Sequence, residues 1–86
     1  MARVMAVDYA PDGIRVNVVI PGFTLTPIVA ELVADPKVLE WNVKNIPLKR
    51  GAQPSEIAGA AVYLLSDAAS FTTGAVLVVD GGMTAT

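Results

Sequence analysis

The sequence predicts an α/β fold built on a parallel sheet, and two observations carry that expectation. The runs Ile14–Ile20 and Ala75–Val79 are β-branched and apolar at nearly every position, the pattern of strands covered on both faces. The long stretch from 21 to 74 that joins them reads mainly as helices, and a parallel pair needs such a crossover.

Each element has its own local signals. Residues 1–10 read as a helix, with Met1, Ala2, Met5, Ala6 and Tyr9 recurring at helical spacing. No capping residue precedes Met1, so the segment reads as the end of a longer helix. Pro11-Asp12-Gly13 stops it, since Pro cannot continue a helix and Gly accepts a left-handed turn. The strand 14–20 follows and Pro21-Gly22 ends it. After a loop at 23–26, Thr26-Pro27 reads as an N-cap with Pro at the first helical position. That helix is expected over 27–34, with Ile28/Leu32 and Val29/Val33 as i,i+4 pairs. Asp35-Pro36 repeats the start signal for a helix over 36–45, which carries a Glu40/Lys44 pair. Residues 46–53 read as loop. Pro54-Ser55-Glu56 opens the clearest helix, 54–66, where Glu56 suits the positive end of the helix dipole. Its body is apolar or small nearly all round, which predicts burial on more than one face. A polar turn closes on Gly74, the strand 75–79 follows, and Asp80-Gly81-Gly82 ends it.

Composition narrows the function. The chain has 86 residues, enough for one small domain. With 53% hydrophobic and 16% charged residues it is too apolar for disorder. It is also richer in apolar residues than so small a body can hide, so some of them should face other chain. Two strands make no viable sheet alone. Net charge is −2 and the six Lys and Arg are scattered, which argues against nucleic acid. There is no Cys and no His, so thiolate, imidazole and His-ligated metal chemistry are excluded. No apolar run suggests a membrane span and no secretory signal opens the chain, which points to the cytoplasm. The carboxylates show no pairing that suits acid–base catalysis or a metal site.

Several motifs in series resemble a known family. Asp12-Gly13-Ile14-Arg15-Val16-Asn17, then Pro21-Gly22 and Thr26-Pro27, resembles the sixth strand and following loop of short-chain dehydrogenases/reductases. Leu48-Lys49-Arg50, Pro54-Ser55-Glu56-Ile57-Ala58 and Ala61–Ser66 resemble the next long helix. Thr73-Gly74 through Val78-Val79-Asp80-Gly81-Gly82 resembles the last strand. The flavour is that of the 3-oxoacyl-carrier-protein reductase and sugar dehydrogenase types. The resemblance implies that residues 1–86 are one partial domain. They would be the C-terminal portion of a Rossmann-like parallel sheet, its last two strands with their crossover helices, with the N-terminal half missing. It implies hydride transfer between NAD or NADP and a small-molecule carbonyl/alcohol substrate. The family's Gly-rich phosphate loop has no counterpart here. Its catalytic Tyr-x-x-x-Lys is missing too: Tyr9 is followed at the fourth position by Gly13, and Tyr63 by Asp67. Those groups, with the family's catalytic Ser and Asn, would lie upstream of Met1. No catalytic residue is therefore assigned, the isolated chain is expected to be inactive, and its cofactor binding weak or absent.

The candidate cofactor-binding residues are Pro21, Gly22, Phe23, Thr24 and Thr26. They sit past the carboxyl end of a parallel strand, where open α/β sheets bind ligands. Gly22 would let backbone approach a ligand closely. Phe23 and Thr24 would offer backbone groups, and Thr26 a hydroxyl. In the family this loop holds the nicotinamide carboxamide, and the Thr approaches the phosphate side. A plain turn with a helix cap is the competing reading. Asn17 reads as an amide tying strand to loop, and Arg15 as a strand-edge or interface charge. Residues 28–50 resemble the variable segment that covers the substrate. Ile28, Leu32, Leu39, Trp41 and Ile46 would either line an apolar pocket or simply pack. The helix 54–66 and strand 75–79 are expected to join copies into a homo-oligomer. A non-catalytic module that docks on full-length subunits is the alternative.

Overall fold

The computed structural model describes residues 1–86. Helix α1 (Ala2–Tyr9) runs into a 3-10 turn at Ala10–Asp12, and strand β1 (Val18–Pro21) follows. The crossover holds α2 (Pro27–Leu32), α3 (Pro36–Val43) and α4 (Pro54–Leu65), and strand β2 (Val76–Val79) completes the sheet. The strands pair in parallel, Val18 opposite Val76 through Pro21 opposite Val79. The α/β class and the parallel sheet are as expected from the sequence.

The expected strand over 14–20 is shorter in the structure. Its first residues carry no ladder because their partners belong to a turn. Thr73 Oγ1 accepts the Val16 N–H at 3.1 Å, and Gly74 N–H donates to Val16 O at 2.7 Å. Asn17 then does with its side chain what a backbone ladder would do. Its Oδ1 accepts the Ala75 N–H at 2.9 Å and its Nδ2 donates to Thr72 O at 3.0 Å. The regular ladder begins one residue later, with Val18 N–H on Ala75 O. The amide thus ties strand to loop.

Arg15 is no loose edge charge. Its guanidinium reaches the carboxyl end of α4, donating to Leu64 O at 2.8 Å and to Thr72 O at 3.2 Å. The last carbonyls of a helix lack internal partners and carry its negative end, so a cation there satisfies both needs. One side chain in this way joins strand, helix and turn.

The helices start where expected and end early. Thr26 and Asp35 cap α2 and α3 with their side chains, each followed by Pro at the first helical position. These helices stop at Leu32 and Val43, short of the predicted 34 and 45. The Glu40/Lys44 pair does not form: Lys44 Nζ stands 4.7 Å from the centre of the Trp41 ring instead. An ammonium over an indole face is a favourable alternative to an exposed ion pair.

The core is small. Only Ala6, Ile46, Gly51, Leu64 and Ala69 are buried. Helix α4 packs on the sheet by one face, where Ala61 and Leu64 share a cleft with Val19. The strands are covered on this side alone, not on both as their composition suggests. Leu77 and Val79 are half-buried, whereas Val76, Val78 and Ile20 are exposed. The all-round apolar α4 leaves Val62, Tyr63 and Leu65 in the open, Leu65 at 84% exposure. The chain is elongated, with a radius of gyration of 15.8 Å, where a compact chain of this length would give about 12 Å. Its accessible surface is 6191 Å², against about 4,800 Å² for a compact monomer of this mass.

Removing the Asn17 amide should weaken the joint that starts the sheet. Asn17→Ala leaves the Ala75 N–H without its partner and the Thr72 carbonyl with Arg15 alone, a loss of about 1–3 kcal/mol. The measurement is the urea unfolding midpoint, and an unchanged midpoint would remove the amide from this account.

Candidate functional site

Both strands deliver their carboxyl ends to one place. At the end of β1, Gly22 N–H donates to Val79 O at 2.9 Å. A Cβ on Gly22 would lie 2.7 Å from both Cα and Cβ of Asp80. The glycine is therefore needed for the approach of β1 to the end of β2. Asp80 is fixed in turn. Its Oδ1 accepts the Gly82 N–H, and its Oδ2 accepts the Thr84 hydroxyl at 2.7 Å and the Thr84 N–H at 3.0 Å. The Thr84 hydroxyl and N–H, with Gly82, hold its carboxyl below the usual range despite some desolvation.

The loop after β1 is held from its far side. Residues 46–53, expected as plain loop, contribute a single parallel bridge between Thr24 and Ala52. Leu25 N–H donates to Ala52 O at 2.8 Å, and Ala52 N–H donates to Phe23 O at 2.9 Å. Gly51 permits this contact, because a Cβ there would fall 2.8 Å from Leu25 Cγ and 3.1 Å from Phe23 Cε2. Ile46 is 2% exposed and Leu48 N–H donates to Gly81 O, so the segment also covers the end of β2. Phe23, Leu48, Ala52 and Val79 line the small cleft beneath it.

These bonds leave a definite set of groups uncommitted. The N–H groups of Phe23 and Thr24 have no acceptor in the chain. Thr24 Oγ1 donates to Gly22 O and keeps its lone pairs. Thr26 Oγ1 accepts the Val29 N–H at 3.4 Å as the cap of α2 and keeps its proton. The cap reading of Thr26 is correct, and it does not exhaust the hydroxyl. Pro21, last residue of β1, sets the position of the loop.

The apolar residues of the variable segment do not come together. Ile46 is core, while Ile28 at 74% and Trp41 at 72% exposure stand in the open with Leu32.

Comparison with known proteins accounts for this arrangement. The family model described as enoyl-(acyl carrier protein) reductase matches residues 1–84. A crystal structure of a Burkholderia thailandensis oxidoreductase of the short-chain dehydrogenase/reductase family superposes with a TM-score of 0.86 at 45% identity, over 99% of this chain and 34% of that one. The chain belongs to the short-chain dehydrogenase/reductase family. The cis-4-hydroxycyclohexanecarboxylate dehydrogenase of Sinomonas cyclohexanicum is 52% identical over 99% of this chain and 33% of its own length. A crystal structure from Agrobacterium tumefaciens with bound NADP superposes with a TM-score of 0.88 at 39% identity, over 99% of this chain and 35% of that one. The chain thus spans about a third of the length of the relatives it matches. No helix is long and apolar enough to cross a membrane.

Sequence reasoning missed one feature of the site, the Arg50–Glu56 pair. The two bond in bidentate fashion, Nη1 to Oε1 at 2.7 Å and Nη2 to Oε2 at 2.9 Å, and Glu56 Oε1 also accepts the Gln53 N–H at 2.9 Å. The signal was present in Gln53-x-x-Glu56, the spacing by which a carboxylate reaches back to the start of its helix. The Arg50 guanidinium first, and the Gln53 N–H second, lower the Glu56 carboxyl from an ordinary 4.5 to about 2.

Two outcomes follow. The folded-state value of Glu56 lies below the unfolded one, so its contribution is complete above about 4.5 and disappears as pH falls towards about 2. The unfolding midpoints of the parent and of Glu56→Gln should therefore differ near neutrality and converge across that window; a gap that persists unchanged to the acid end would refute the assignment. Gly51→Ala should part the 23–25 and 50–52 segments and lower stability by about 1–3 kcal/mol, read by thermal unfolding. No change in melting would show that the contact is loose.

Proposed function

We propose that these residues form the nicotinamide-side part of an NAD(P)-dependent oxidoreductase that passes hydride between cofactor and a carbonyl/alcohol substrate. The observation that carries the reading is the pair of uncommitted N–H groups at Phe23 and Thr24, just past the carboxyl end of a parallel strand. Ligands of open α/β sheets lie in that position. A nicotinamide carboxamide has a carbonyl that needs donors and an amide that needs an acceptor. The two N–H groups and the Thr24 lone pairs meet both needs, so the residues present fit the group. The Thr26 hydroxyl has a proton to give to a phosphate oxygen.

When bound, NAD(P)H supplies the hydride; the chain's own residues bind and orient. Pro21 and Gly22 fix where the loop leaves the sheet, and the Ala52 bridge stops it from swinging. Orientation of this kind makes a reaction effectively intramolecular. Substrate cover by 28–50 and a cytoplasmic setting belong to the same reading. So does self-association through α4 and β2, favoured by the open Val62, Tyr63 and Leu65 on α4 and the exposed Val76 and Val78 on β2. The chain holds no Tyr-x-x-x-Lys, and the proton donor must come from elsewhere.

The 86-residue chain alone should show no turnover with NADH or NADPH and a carbonyl substrate. A chimera that carries it in place of the matching segment of the Sinomonas dehydrogenase should turn over. In that chimera Thr26→Val should raise the cofactor KM roughly fivefold, the loss of one hydrogen bond of about 1 kcal/mol. An unchanged KM in the folded variant would withdraw the cofactor role of Thr26, and a folded chimera without hydride transfer would withdraw the function.

A further inference from the structure

We infer that Glu56 is a positioning residue for the cofactor loop: through Arg50 and Gln53 it sets the segment 50–53, and through Ala52 it sets the two free N–H groups of the Phe23–Thr24 turn. The inference rests on the reading of Phe23 and Thr24 as cofactor donors, and it adds a residue that touches neither cofactor nor substrate.

The geometry is a short chain of fixed links. Glu56 lies in the first turn of α4, a twelve-residue helix packed on the sheet, so its carboxylate has a firm base. It holds the segment at two points, the Arg50 guanidinium and the Gln53 backbone N–H. Gly51 and Ala52 lie between those points. Ala52 makes both bonds of the bridge, to Phe23 O and from Leu25 N–H. These two bonds flank Thr24, and with Phe23 they bracket the donors. Gly51 closes the distance, since no side chain larger than hydrogen fits against Leu25 and Phe23. Movement of the 50–53 segment therefore moves the donors.

Two features make this more than a surface ion pair. A single exposed pair contributes little because its long side chains lose freedom in forming it. Here the arginine meets the carboxylate by two parallel bonds, a geometry that fixes direction as well as distance. The second anchor is backbone, which has no side-chain freedom to lose. Arg50 also donates to its neighbour's Gly51 O at 3.2 Å, so the guanidinium is tied to the segment it holds. The strut that Glu56 forms acts at the first turn of α4, whereas Arg15 anchors the other end of that helix at Leu64 O.

The test uses the full chain, free of cofactor, with amide hydrogen exchange followed by NMR. In Glu56→Gln, the Leu25 and Ala52 amides should exchange about threefold faster than in the parent, and the Phe23 and Thr24 amide resonances should shift. The Val18 and Gly22 amides, which belong to the β1–β2 pairing, should change less, by no more than the loss of global stability read from the unfolding midpoint. Arg50→Lys keeps the charge but not the fork, and should fall between parent and Glu56→Gln. Equal acceleration at all four amides would mean a general loss of stability and would overturn the inference. So would unchanged rates at Leu25 and Ala52, or no protection at those two amides in the parent. The chimera assay tests the donors' role separately, so a failed strut and a failed cofactor reading give different results.

Discussion

The parallel pairing of Val18–Pro21 with Val76–Val79 is the contact on which the other parts depend. Parallel strands cannot be joined by a tight turn, so this pair closes only after the whole crossover is ordered. The chain meets that entropic cost with side-chain anchors at the entrance of the ladder. Asn17 bonds to both sides of the turn before β2, and Arg15 ties the same turn to the end of α4. At the exit, Gly22 meets Val79 and Asp80 at a distance no other residue allows. The loop that carries the candidate donors starts at that exit, so its place in space is inherited from the pairing.

A second clamp acts at the carboxyl ends. The segment 46–52 crosses both strands, with Leu48 on Gly81 and Ala52 between Phe23 and Leu25. Its inner residue Ile46 is among the few that are buried. What looks like a connection between helices is therefore a lid on the sheet's edge. It takes up Phe23 O and Leu25 N–H and leaves the N–H groups of Phe23 and Thr24 free. Relatives with very different named substrates are 42–52% identical over nearly all of this chain. A structure that fixes this loop can be kept while the named substrate differs.

Much apolar surface stays open. Phe71 is fully exposed, and much of the apolar surface of α1 and α4 is open. The sheet has one bare face. A body with so few buried residues and so extended a shape has less internal burial than a compact domain of its size. Its relatives are about three times as long, and the open faces of α1 and β1 are of the kind that more chain covers in a full sheet.

Local signals were enough for much of this. The β-branched runs, the Pro-led helix starts at 27, 36 and 54, and the two caps at Thr26 and Asp35 were legible because each depends on residues within one turn of itself. The loop 21–26 was legible as a candidate site because it follows an apolar strand at Pro-Gly. The extent of the strands was not: residues 14–17 carry the β-branched Ile14 and Val16 of a strand, yet a turn and an amide take their hydrogen bonds. Nor was the job of Arg15, whose acceptors lie some fifty positions away, or that of Gly22, whose constraint is the backbone of Asp80. The sequence by itself determined the elements, their order and the family, because propensity, capping and motif spacing are local. The tertiary structure alone decided which backbone groups remain free at the site, because that depends on partners brought together only when the crossover closes.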